Sequence, residues 1–230
     1  TAGTLALNAA NALTNTVVLS IANSGAKVSL AAGVTQTVER LYLGGQRKGR
    51  STWGASGSGA EYVDDAHFAG SGVVLVSSGV STAWDGGGAG AAASNPDNWD
   101  FDVRPAFDGS ATLSFGSGGG EAAIDVPVAL SGLRLERDAD FQITAAGGLL
   151  SLGAGGLWAQ SPSATSRTYA VSASLLLAAD QSWGVTNNGA GVTALHVSGP
   201  IGDGASVFGL TKSGNGVLTL SGDNSYDGAT

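Results

Sequence analysis

The stretch Gly209-Leu-Thr-Lys-Ser-Gly-Asn-Gly-Val-Leu-Thr-Leu-Ser-Gly-Asp-Asn-Ser-Tyr-Asp-Gly-Ala-Thr230 carries the pattern that decides the fold. Apolar and small polar residues alternate from Val217 to Ser221, and Gly, Asn or Asp stands on either side, as in a short strand between tight corners. The same pattern recurs from Thr4–Leu7 and Val17–Ile21 through Gln36–Leu43, Val73–Ser77, Ala111–Phe115 and Leu133–Glu136 to Tyr169–Ser172 and Ala194–Val197. The best helical candidate, Asn8–Leu13, is too short to be more than a turn. The chain is therefore expected to be all-β. Outward positions in Leu5-Ala-Leu7, Val28-Ser-Leu30 and Leu113-Ser-Phe115 are small, whereas a sandwich places charges outside and guards its edges with Lys, Glu or Pro. Small outward residues suit a parallel β-helix, in which Leu, Val and Ile stack from rung to rung and Gly, Asn or Asp turns each corner. With about 20 residues per rung, roughly a dozen rungs and a rod on the order of 50 to 55 Å are expected.

Composition narrows the function classes. The 230 residues include 38 glycines, 5 prolines, no Cys and no Met, and charged residues make up 12%, about half of the roughly 25% usual in globular domains. A net charge of −8 repels phosphate backbones and anionic headgroups, so no nucleic-acid partner is expected. Without cysteine there is no disulfide framework, thiolate nucleophile or Cys-ligated zinc, and only His67 and His196 remain as imidazole ligands. No apolar run approaches the ~20 residues of a membrane-spanning helix. The chain opens at Thr1 with no leader and reads as an excerpt of a longer protein.

The stretch 209–230 resembles the autotransporter-associated β-strand repeat, whose pattern is met at Lys212, Gly214, Gly216, Leu218, Leu220, Gly222, Asn224, Tyr226, Gly228 and Thr230. The resemblance implies a right-handed parallel β-helix with lateral loops, located outside the cell or on a bacterial surface, and it names no catalytic residue. Thr1-Ala-Gly-Thr-Leu-Ala-Leu7 resembles the segment that follows this repeat in family members, across a slightly shorter bridge. Head and tail then read as two sides of one rung, so copies are expected to stack on identical or similar modules. Within one continuous solenoid, residues 1–79 are expected to form a first module and 80–110 a Trp- and Asp-rich loop or lateral insertion. A second module would occupy 111–230.

Candidate chemistry centres on that loop. Trp84, Trp99, Asp100 and Asp102 form a candidate ligand-contact set, with the two indoles as a stacking platform for an extracellular glycan; packing against the solenoid is the plainer use of such aromatics. Asn98, Asp100 and Asp102 have the alternating oxygens of a calcium loop, but Val103 stands where an EF-hand needs Gly and no Glu follows at the twelfth position. They read as solvated carboxylates that cap backbone donors. In an extended segment Asp100 and Asp102 would share a face, and glycoside hydrolysis needs two carboxylates about 5 to 9.5 Å apart across a cleft, yet nothing identifies a cleft, and neither a nucleophile elbow nor a zincin or phosphate-loop motif occurs. His67 beside Asp64 and Asp65 reads as a loop residue, His196 as strand packing, and Arg47-Lys-Gly-Arg50 as a solvated loop or a contact for the 97–102 segment of another copy. The sequence thus points to a structural solenoid segment of a surface stalk, fibre or filament, without cofactor, metal or catalytic residue. The alternatives are an adhesin passenger binding glycans through loops 46–66 and 84–110 and, behind it, a polysaccharide-degrading enzyme.

Overall fold

Apolar residues at every second position can all be buried only if each strand lies on another strand with the same phase. The computed structural model, which describes residues 2–230, achieves this as a parallel β-solenoid of about nine turns. The chain divides into two compact units, one running to Ser81 with Phe101–Val103 added, the other comprising Thr82–Asp100 and Arg104–Thr230. Among the described residues the only regular helical piece is a single 3-10 turn at Pro96–Asn98; Asp100–Asp102 is a tight turn with Phe101 in the left-handed region.

In the second unit, the turns stack on three faces. On the first, Leu113, Leu133, Leu157 and Trp183 lie in parallel register, all buried. Ala122, Ile143, Val171, Val197 and Leu220 form the corresponding column on the second face, and Val128, Leu150, Leu175 and Ile201 form it on the third. These columns merge into one core that also holds Trp84, Trp99, Phe115, Phe141 and Tyr169. The first turn has almost no regular strand. It joins the stack through single bridges, Ala83 to Ser114, Ala92 to Ala123 and Asp108 to Ala129.

The first unit follows the same rule with a different third turn. Thr4–Leu7, Lys27–Leu30 and Phe68–Gly70 stack in parallel, as do Val18–Ile21 and Arg40–Leu43 and Thr35–Val38 and Val73–Val76. Between Leu43 and Phe68 the chain leaves the spiral. Gln46–Lys48 folds back antiparallel on Arg40–Leu43, Thr52–Gly54 pairs antiparallel with Val73–Val76, and Tyr62–Val63 adds to Thr52–Gly54. The lateral excursion and the long corners consume residues without adding turns. That is why about nine turns form where a uniform rung length led to a dozen.

Candidate functional site

The Trp- and Asp-rich segment is built inward. Trp84 and Trp99 are 0% and 1% exposed, pair across an antiparallel bridge, and meet edge to face at 5.1 Å and 89°. Phe115 lies 5.8 Å from Trp84 and 5.9 Å from Trp99, and Phe107 5.8 Å from Trp99. Asn98, fully buried, accepts from Gly88 N and donates to the carbonyls of Gly90 and Ala92. The Trp99 indole N–H donates to Ala93 O at 2.9 Å. Where a protruding loop was expected, residues 82–100 thus pack as the first turn of the second unit, and neither indole has a face for a sugar.

The two carboxylates have separate tasks. Asp100 accepts from Thr82 N at 3.0 Å and Ala83 N at 3.1 Å, closing the turn that seats Trp84. Asp102 belongs to the other unit and pairs with Lys48. The shared strand face expected for them does not form, because Phe101 and Asp102 have φ of 66° and 53°, conformations that no extended strand contains. The basic run meets this segment within its own chain: Gln46–Lys48 is a strand, and the Arg47 guanidinium sits 4.7 Å over the Phe101 ring.

His67 is a clamp between rung and excursion. Only 9% exposed, its ring nitrogens lie 2.8 Å from Asp64 Oδ2 and 2.9 Å from Asn23 Oδ1, while Asp64 Oδ1 also accepts from Ala66 N and His67 N. His196 is exposed, on the outer side of Thr193–Val197. Among the described residues no group of three or more His, Asp or Glu could hold a metal ion, and no helix is long and apolar enough to cross a membrane.

The repeat-signature residues do come together, as the device that seats the last turn on the one before. Leu218 and Leu220 continue the columns of Leu195 and Val197. Asn224 Oδ1 accepts from Ile201 N at 3.1 Å, and Ser225 N donates to Ile201 O at 2.8 Å. Gly214, at φ +79°, leaves no room for a side chain against Val185 O, and at Gly216 a Cβ would stand 2.7 Å from Thr193 O. Gly222 and Gly228 face Gly199 and Phe208 in the same way. Lys212 lies in register with Trp183 and turns its ammonium to the carbonyls of Ser213 and Gly214. The Tyr226 hydroxyl meets Thr230 Oγ1 at 2.7 Å. Asp203, 5% exposed, accepts from Phe208 N and Asp227 N; sequence reasoning missed it because only the tertiary fold brings those donors to it.

Residues 210–230 match the Passenger-associated-transport-repeat family. Comparison with curated proteins and with solved structures finds no match. The chain thus carries a passenger-associated transport repeat in a β-solenoid, consistent with an autotransporter passenger-like β-helix.

Proposed function

We propose that this chain is a scaffold segment of a bacterial surface protein, a right-handed solenoid that extends a stalk or fibre by stacking turn on turn. The match at residues 210–230 supports a passenger displayed at the cell surface or secreted. One observation carries the scaffold role: among the described residues Val217–Leu220 is paired on one side only, with Thr193–Val197, and its Val217 is 48% exposed. Among the described residues Thr4–Leu7 is likewise paired only with Lys27–Leu30, and Leu5 is 46% exposed. Strand edges with apolar side chains are templates for a further strand. In the proposed assembly Thr4–Leu7 of one module lies parallel on Val217–Leu220 of the preceding one, whether the modules are joined covalently or not. The reading assigns no catalytic role.

Sedimentation velocity over a range of concentrations tests it. Wild-type protein is expected to form end-to-end oligomers, and Leu5→Glu, which puts a carboxylate on the edge without disturbing a buried residue, is expected to stay monomeric. A wild-type chain that remains monomeric throughout would contradict the stacking.

A further inference from the structure

Four of the five tryptophans are buried, Trp53, Trp84, Trp99 and Trp183 all at 5% exposure or less. Trp158 is not. It sits on the outer side of the first face of the second unit, in register with Ser114 and Arg134 before it and Gly184 and Ser213 after it. Its indole lies over Gly184, where a Cβ would run into the six-membered ring. Beside it is a groove of about 350 Å³ lined by Thr112, Arg134, Trp158, Ser182, Gly184 and Ser213 among others. The indole N–H has no hydrogen-bond partner among the described residues.

From this geometry we infer that the groove binds a neutral polysaccharide, with the apolar C–H face of one pyranose ring stacked on Trp158. Aromatic faces offer apolar area with a polar edge at little conformational cost, and the hydroxyl-bearing Thr112, Ser182 and Ser213 line the same groove, where they can meet sugar hydroxyls. Charge selects against an anionic chain. Among the described residues Arg134 is the only charged side chain lining the groove, it is already paired with Glu136 at 3.0 Å, and the protein carries net charge −8. An extended peptide is disfavoured along Val128–Leu135, Leu150–Gln160 and Gln181–Thr186, which all have strand neighbours on both sides and so offer no backbone edge for strand addition. The site is independent of the stacking edges, so either can fail without the other.

The indole N–H signals in ¹H–¹⁵N spectra of the wild-type protein provide the test, with Trp158→Phe identifying the signal of Trp158. Titration is with cellohexaose, maltohexaose, mannohexaose and chitohexaose, and a galacturonate oligomer and a proline-rich peptide serve as comparisons. At least one neutral oligosaccharide is expected to shift the Trp158 signal saturably while the four buried indoles stay in place, and Trp158→Ala is expected to weaken that binding at least about tenfold. The inference is overturned if no neutral oligosaccharide moves the signal, if only the galacturonate or the peptide does, or if Trp158→Ala binds as the wild type does. The wild-type titration decides the matter even if the alanine variant does not fold.

Discussion

Inside a stack of Leu, Val and Ile a buried polar side chain is costly unless its polar atoms are bonded, and Gln36 meets that condition. Fully buried, it accepts from Leu13 N and donates to Leu13 O at 3.0 Å each and to Thr37 O at 2.7 Å, standing in for the strand that the first turn lacks there. Gln36→Leu should cost about 1–3 kcal/mol in urea unfolding, because it strands buried backbone groups rather than merely losing a contact. Gly214→Ala should cost roughly 1–3 kcal/mol, since a side chain at φ +79° adds backbone strain to the collision with the preceding turn. Tyr169 yields a pH signature. Burial pushes its phenol up from 10.0 to about 12, and the hydroxyl donates to Arg137 O at 2.6 Å. The folded state therefore holds this proton more tightly than the unfolded chain. Its contribution to stability is complete below pH 10 and is lost as pH rises from 10 through 12. Urea midpoints of wild type and Tyr169→Phe should converge across that window. None of these roles was legible in the sequence. An inward Gln or Tyr has the same spacing as an inward Leu, and what it bonds to lies a whole turn away.

At the scale of elements, regular strands were legible and irregular ones were not. Lys27–Leu30, Arg40–Leu43 and Thr112–Phe115 alternate cleanly. Only the opening of Leu150–Gln160 stood out, because its middle is Gly153-Ala-Gly-Gly156, which reads as a corner. Gln46–Lys48, Thr52–Gly54 and Tyr62–Val63 are too short to show a period. The excursion they form is held by the stack of Trp53 on Tyr62, 4.8 Å apart, and by the clamp of His67 between Asp64 and Asn23. Asp64→Ala should leave the stacked strands protected while speeding hydrogen exchange in residues 55–67, as a local opening does; equal acceleration everywhere would show the clamp to be part of the global fold. The first turn of the second unit misled for a related reason: with few ladder bonds, buried Trp84 and Trp99 hold it in place. Trp84→Ala should therefore destabilise the unit by about 3–5 kcal/mol, visible as a lower calorimetric midpoint.

At the scale of the whole molecule, the low charge and abundant glycine follow from one requirement, that successive turns approach to strand spacing. Side chains on the outside must be small, corners must be tight, and glycine is needed wherever one turn meets the backbone of another, as at Gly216 and Gly222. The fold class could be read from the chain because this requirement leaves its mark at every turn. The turn count could not, since corners and excursions vary in length. The most direct test of the scaffold claim is electron microscopy of the protein on its native surface, with the power spectrum read along the axis of any extended structure. The account predicts continuous filaments or stalks with an axial layer line at ~4.8 Å, the spacing of hydrogen-bonded strands. Separate particles that never join end to end, or filaments lacking that layer line, would contradict it.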